Sequence, residues 1–300
     1  MPPDTPRAGA PGAGPQRFLI VTADDFGLHP AVNEAVEAAS RAGTLTAASL
    51  MVAAPAVADA VRRARVLPGL HVGLHLTLAD GAAMLPRRRI PDLVDADGRF
   101  GSNMAADGVK FFFRPGVRRQ LGAEIRAQFE AFARTGLALD HLDAHKHFHL
   151  HPTLLGMALA IGREFGLRAV RLPLEPAGHP ALPPRALAGK LGDALLRPWI
   201  ARMRRRLQAA GMACNDQVFG ISHSGRMDES RLLAVLRALP AGVTEIYLHP
   251  GTRSGDAITA SMTGYRHEDE LAGLLSPRVR AAIAASGARL GGFSDIVPAP

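Results

Sequence analysis

Aspartate and histidine gather at four points of this 300-residue chain: Asp24-Asp25, His75, Asp143 with His145, and His249. Carboxylate and imidazole bind divalent cations, and both move protons near neutral pH. One Asp with two His leaves coordination positions open for water and substrate, the arrangement of a catalytic rather than a structural ion. A cation so held acidifies water towards neutrality, and that water can attack a carbonyl. The twin carboxylates can divide the work, one binding the cation while its neighbour accepts the proton of the attacking water. His249, from the opposite side, can donate a proton to a leaving nitrogen. These are the parts of metal-assisted amide hydrolysis.

The stretch "HLDAHKHFHLH" (141–151) holds five of the twelve histidines. His141, Asp143, His145, His147, His149 and His151 are all odd-numbered, so on a strand they share one face. At about 3.3 Å per residue the set spans roughly 33 Å, whereas a metal–imidazole bond is about 2.0–2.1 Å. One ion therefore takes one or two of them, and the others orient, line a pocket or face solvent. A lone "DD" is ordinarily a helix cap or a solvated turn, and a lone His ordinarily a hydrogen-bonded core residue. The combination lifts Asp25, His75 and His145 above those readings. His29, His179, His223 and His267 stay with them, and His71 belongs to the approach of its strand.

The elements that must bring these residues together alternate regularly. "RFLIVTADD" (17–25) is a continuous apolar and β-branched run, as a parallel strand covered on both faces requires. Further strands are expected at 44–52, 69–78, 137–145, 167–173, 216–222, 243–250 and 288–296. Helices are expected between them, the clearest carrying Val117, Leu121, Ile125, Phe129 and Phe132 at helical spacing. Residues 79–116 read as an irregular Pro/Gly/Arg-rich stretch, and 267–285 as one helical region. Strand then helix, repeated seven or eight times, means a parallel sheet. Right-handed crossovers all the way round would close it into an α/β, (β/α)-barrel-like fold, related to the TIM barrel with irregular or missing units, and an open doubly wound sheet is the alternative. In such a barrel reactive groups sit where strands end, and the four points named above all lie at strand ends. No GxGxxG or GxxxxGK[ST] follows the first strand, which weighs against a nucleotide-binding sheet.

Residues 1–16, rich in Pro, Gly and Ala, read as a disordered tail without the apolar core of a secretory signal. Residues 17–300 read as one catalytic domain with a helical excursion at about 177–215. Cys214 is the single cysteine, so no internal disulfide or Cys-based metal site exists, which fits a reducing, cytoplasmic setting. No run reaches the roughly 18 apolar residues that cross a bilayer. The formal charge of +8 resides mainly in short arginine runs at 87–89 and 201–208. Without interleaved aromatics these are not a nucleic-acid stacking surface, and they read as a solvated basic face. "LLRPWIARMRRRLQAAG" (195–211) is either an interfacial helix touching the inner membrane or a lid over the barrel. "VKFFFRP" (109–115) is either an apolar pocket wall or core packing. The apolar helix faces leave a homodimer open.

"TADDFG" (22–27), "GLHLT" (73–77), "HLDAHKHFH" (141–149), "VRLP" (170–173), "LHPG" (248–251) and "YRHEDELAGLLSP" (265–277) occur together and in order. In this the chain resembles the YdjC-like carbohydrate deacetylases, which remove acetyl groups from N-acetylated sugars, over about residues 17–296. It departs from the family pattern at Thr22, where Asn is frequent, and at Ala144, where Ser or Gly is. The resemblance implies a (β/α)-barrel-like fold and one divalent cation, commonly magnesium. It implies Asp25, His75 and His145 as metal ligands, Asp24 as general base and His249 as acid. Arg171 and Glu270 fall in shared motifs, with a supporting or substrate-contact role. Imidazole ligands suit Zn²⁺, Mn²⁺, Fe²⁺ or Co²⁺ better than Mg²⁺, which prefers oxygen. The opening segment and the histidine block look most like the branch associated with hopanoid biosynthesis, which implies an N-acetylglucosaminyl lipid substrate. The competing readings are a metal-dependent phosphoester or amidohydrolase-type hydrolase, and a basic binding protein without catalysis.

Overall fold

The computed structural model describes residues 16–184, 187–254 and 258–297; the expected tail, Gln16 apart, lies outside the described residues. Strand β1 (Arg17–Phe26) is central, and its Leu19, Ile20 and Ala23 are wholly buried, as its unbroken apolar run predicts. It pairs in parallel with β2 (Ala47–Leu50) on one side and β6 (Gly242–Leu248) on the other. Beyond β2 lie β3 (His71–Leu76) and β4 (Leu142–Ala144), and beyond β6 lies β5 (Gln217–Phe219). β2 pairs with β1 from Thr22 onward, and the two-residue β7 (Arg289–Leu290) pairs with Phe18 and Leu19 ahead of it.

The six-stranded path is a parallel half-barrel, and residues 168–174 span its gap. Leu142 N donates to Ala169 O and Arg171 N to Leu142 O on the β4 side, both at 3.0 Å. On the β5 side Val218 N donates to Leu174 O at 2.9 Å, and the Asn215 amide bridges the N–H and C=O of Leu172 at 2.7 and 2.8 Å. The fold is therefore the irregular (β/α) barrel that the alternation implied. The strand expected at 167–173 is reduced to isolated bridges, because a side-chain amide replaces its ladder and Pro173 has no N–H to give.

Helices cover the outside. α1 (Pro30–Arg41), α2 (Val57–Ala64), α5 (Pro152–Glu164) and α7 (Glu229–Arg237) are the crossovers expected. α4 (Pro115–Arg134) buries the predicted stripe Val117, Leu121, Ile125, Phe129 and Phe132. It also buries two polar groups that tether the segment after β3. Glu124 accepts from the N–H of Met84 and Leu85 at 2.8 and 2.9 Å, and Gln128 bridges the N–H and C=O of Thr77. This steadies the end of β3, where His75 stands.

Three further expectations change, and the helical excursion expected at about 177–215 is found within narrower bounds. Within 79–116, a helix α3 (Met104–Phe113) forms, capped by Asn103, whose side chain accepts from Ala106 N. The helical excursion is α6 (Leu187–Ala209), whose Ile200, Met203 and Leu207 pack into the core while Arg202, Arg205 and Arg206 are exposed or nearly so. Residues 267–285 divide into α8 (His267–Leu275) and α9 (Pro277–Ala285), since Pro277 cannot donate to α8 and the Ser276 hydroxyl caps α9. The strand at 216–222 stops at Phe219, because Gly220 has φ of 127° and lies so close to Tyr247 that a Cβ would collide with its carbonyl oxygen. Among the described residues no helix is long and apolar enough to cross a membrane.

Candidate active site

Asp24 and Asp25 lie at the end of β1, where the chain must leave the sheet. Asp25 has a left-handed φ of 62°, uncommon for a residue with a side chain and a conformation that persists only under surrounding constraint. Gly27 supplies the turn: its φ is 95°, and a Cβ there would approach Leu50 and the Met51 carbonyl at 3.3 Å. Its N–H is fixed by Asn33 Oδ1 at 2.8 Å.

From this turn Asp25 Oδ1 reaches His145 Nδ1 at 3.0 Å and His75 Nε2 at 3.3 Å, and the two ring nitrogens are 3.4 Å apart. All three residues are buried. Two donors bound to one ion at 2.0–2.2 Å, at angles of roughly 90–110°, lie about 2.8–3.6 Å apart. The observed spacing meets that requirement. Among the described residues no group donates a well-aligned hydrogen bond to either oxygen of Asp25, although both are buried, and such a carboxylate is costly unless a cation satisfies it. The donor set thus fits a divalent ion with open positions.

Asp143 orients the centre. His75 Nδ1 donates to Asp143 Oδ1 at 2.9 Å, which fixes the tautomer and turns Nε2 towards Asp25. Burial works against a charge on His75, yet Asp143 and Asp25 outweigh it and hold its pKa well above the usual range. Burial likewise opposes ionisation of Asp25, but His145 and His75 hold its carboxyl well below the usual range.

Beneath this cluster Arg171 is fully buried among three carboxylates. Its terminal nitrogens bind Asp24 at 2.8 Å each, Nη1 meets Asp143 Oδ2 at 2.5 Å, and Nη2 meets Glu245 Oε1 at 2.8 Å. Tyr247 stacks 4.9 Å from the guanidinium, and Thr22 Oγ1 donates to Glu245 at 2.7 Å. Asp24, His75 and Asp143 also approach closely enough to suggest a second ion site, but the guanidinium already fills that space. Of the two roles open to Arg171, support is the one its burial allows.

Glu270 is equally enclosed. It accepts from the N–H groups of Met227 and His249, and burial pushes its pKa up to about 8. It anchors the segment after β6 and does not line the cleft. His249, on that segment, stands with Nε2 4.0 Å from Asp25 Oδ2 and its ring edge-on to Tyr265 at 5.0 Å. Burial lowers its pKa and favours the neutral ring. His267, left among the structural histidines, donates from Nδ1 to the His249 carbonyl at 2.5 Å.

The histidine block does not form one strand face. β4 ends at Ala144, and His145–Leu150 turn in a 3-10 conformation broken by Lys146 and His147, both at φ 55°. His145 alone of the block enters the cluster. His141 is buried between Asp140 and Ser49, at 2.8 and 3.1 Å, in space that Gly73 leaves free. His147 meets the Tyr247 hydroxyl at 3.1 Å. His149 donates to the Arg171 carbonyl at 3.0 Å, and burial pushes its pKa down to about 4.

Asp24, His75, His145, Tyr247, His249 and Tyr265 line a cleft of about 220 Å³. A smaller cavity of about 40 Å³ adjoins it at His145, walled on one part by Leu28, Met51, Ala54, Ala82 and Met262 and on another by Thr77, Asp80, Arg99 and Ser261. Glu245, Tyr247 and Tyr265 were not singled out from sequence. For Glu245 a signal existed: a charge inside the apolar run "VTEIYL" must find an opposite charge when buried, and Arg171 in "VRLP" is its counterpart.

The YdjC-like protein family model matches residues 18–285. A carbohydrate deacetylase of Homo sapiens is 31% identical over 312 residues, covering 94% of this chain and 92% of that protein. One of Brevibacillus brevis is 37% identical over 147 residues, 49% of this chain and 56% of that protein. A crystal structure from Enterococcus faecalis, of a protein named for cellobiose-phosphate cleavage, superposes with a TM-score of 0.71 at 27% identity, covering 94% of this chain and all of that one. The match runs through every element that carries the Asp25, His75 and His145 cluster, and the chain belongs to the YdjC-like family.

Proposed function

We propose that this protein is a metal-dependent carbohydrate N-deacetylase that hydrolyses the acetamido group of an amino sugar. The observation that carries the reading is the buried Asp25 carboxylate, without a well-aligned hydrogen-bond donor among the described residues and facing His75 and His145. A divalent cation held by these three would acidify water and polarise the amide carbonyl. The chain's own residues supply the rest. Asp24, both oxygens steadied by Arg171, accepts the proton of the attacking water. His249 lines the same cleft; its ring is neutral at rest, so it first takes up a proton and then, as imidazolium, delivers it to the departing nitrogen. The apolar part of the small cavity beside His145, formed by Leu28, Met51 and Met262, accommodates the acetyl methyl. Imidazole ligands favour Zn²⁺, Mn²⁺, Fe²⁺ or Co²⁺ over Mg²⁺ at this centre.

The resemblance of the opening segment and histidine block to the hopanoid-associated branch supports an N-acetylglucosaminyl lipid as substrate. Residues 17–300 then act as one cytoplasmic catalytic domain. A phosphoester hydrolase with paired ions is disfavoured, because Asp24 and Asp143 already hold Arg171. Acetate release from N-acetylglucosaminyl lipid and from diacetylchitobiose, with Asp25→Asn as control, is the test. Release from the lipid alone supports the full reading. Release from the sugar alone retains the deacetylase and discards the lipid. Release from neither, by a metal-loaded protein, overturns the proposal.

A further inference from the structure

Helix α3 is apolar on both of its faces. Inward, Gly108 and Phe111 are buried, and Phe111 packs on Phe148 at 5.4 Å between ring centres. Outward, Ala105, Ala106, Val109, Phe112 and Phe113 form an exposed stripe at helical spacing. Val109, Phe112 and Phe113 are 60%, 52% and 71% exposed, and the two phenylalanine rings meet edge-on at 4.9 Å. The only charges on the helix, Asp107 and Lys110, pair with each other at 2.8 Å. A contiguous exposed apolar stripe marks a contact with another surface, and this outer face is not core. Neither reading made of "VKFFFRP" from sequence covers it: Phe111 is packing, but its two successors face outward.

The position of the stripe is equally informative. A helix returning from one parallel strand to the next starts at the rim where strands end. Phe112 and Phe113, directly before α4, therefore stand on the rim that carries the strand ends. His151, which follows the His145–Leu150 turn, touches Phe112 edge-on with ring centres 6.5 Å apart. Residues 104–119 carry Lys110, Arg114, Arg118 and Arg119 against the single acid Asp107. Arg114 and Arg119 are exposed beside the stripe.

We propose that the outer face of α3 docks on an anionic lipid bilayer. Val109, Phe112 and Phe113 enter the headgroup layer, and Arg114 and Arg119 meet lipid phosphates. In purpose this rests on the glycolipid reading above, since it would bring the mouth of the cleft to a membrane-held sugar. The surface differs from the arginine run of α6, whose apolar residues Ile200, Met203 and Leu207 are already buried against the barrel.

Flotation of the full-length protein with vesicles tests it, using phosphatidylcholine alone and phosphatidylcholine with about one-third phosphatidylglycerol. The wild type is expected on the anionic vesicles, and Phe112→Ser/Phe113→Ser is expected to partition at least about tenfold less. Arg114→Ser/Arg119→Ser is expected to lose the preference for anionic lipid. Unchanged metal content and circular dichroism in the serine variants show that the barrel is intact. Wild-type protein that ignores both vesicles, or serine variants that bind equally, overturn the proposal. So does a dimer dissolved by Phe112→Ser/Phe113→Ser in a protein that binds no vesicle, because a second copy then covers the stripe. Vesicle binding is read without substrate. A protein that binds lipid but releases no acetate overturns the deacetylase reading alone; one that deacetylates sugars but ignores vesicles overturns the docking alone.

Discussion

Arg171 grips Asp24 through both terminal nitrogens, each 2.8 Å from a carboxylate oxygen, and the same guanidinium binds Asp143 and Glu245. One buried cation thereby joins the proposed base on β1, the carboxylate that orients His75, and β6. Arg171 itself lies on the 168–174 segment that spans the gap in the barrel. Arg171→Met leaves three buried carboxylates without their partner, and loss of about 3–5 kcal/mol is expected. Urea unfolding measures it, and a midpoint equal to the wild type would show that the cage does not stabilise the fold. Arg171→Lys keeps the charge but loses the two-pronged grip, so kcat is expected to fall with KM little changed.

In the proposed metal centre Asp143 would act on the ion through His75. Asp143→Asn is expected to weaken binding of Zn²⁺ or Mn²⁺ about 10–100-fold, with His145→Ala weaker still because a ligand is gone. Calorimetric titration of chelator-treated protein reads both affinities. An Asp143→Asn protein that binds metal as tightly as the wild type rules out the orienting role.

Chelation is expected to abolish acetate release, and the order of restoration distinguishes the candidate ions. At equal free concentration Zn²⁺, Mn²⁺ or Co²⁺ should restore more activity than Mg²⁺, because two of the three ligands are imidazoles. Restoration by Mg²⁺ alone would contradict the assignment of His75 and His145 as direct ligands.

Glu270 gives the fold a pH dependence of a definite sign. Burial raises its pKa from an ordinary 4.5 to about 8, so the folded protein favours the neutral carboxyl. A group raised in the folded state contributes its stability fully below the ordinary value, and that contribution declines as pH rises through the folded value. Between pH 4.5 and about 8 the wild type should therefore lose stability, by up to about 1.4 kcal/mol per pH unit. Glu270→Gln carries no titrating group and should flatten that slope. Urea unfolding at several pH values decides, and parallel slopes in the two proteins would exclude Glu270 as the cause.

Much of the site was legible in the sequence because strand ends are local features. The apolar run of β1 stops at Asp24-Asp25, and the runs carrying His75 and His249 likewise end near polar side chains, so the alternation of strand and helix places them on one rim. The stripe from Val117 to Phe132 was legible for the same reason: its period depends only on neighbours along the chain.

Which histidine of 141–151 joins Asp25 depended on backbone conformation. Parity along a strand assigns all the odd positions to one face, but Lys146 and His147 adopt φ of 55° and end that rule directly after His145. Arg171 and Glu245 are charges of opposite sign 74 residues apart, and no local pattern says that they meet. α3 gave no periodic signal, since both its faces are apolar. The sequence by itself determined the parallel α/β alternation and the residue types at each strand end, through periodicity and turn chemistry. Tertiary structure alone decided the distances within the Asp25, His75 and His145 cluster, the Arg171 cage and the exposed face of α3. Each depends on distances between segments far apart in the chain, and only the closing of the sheet sets those distances.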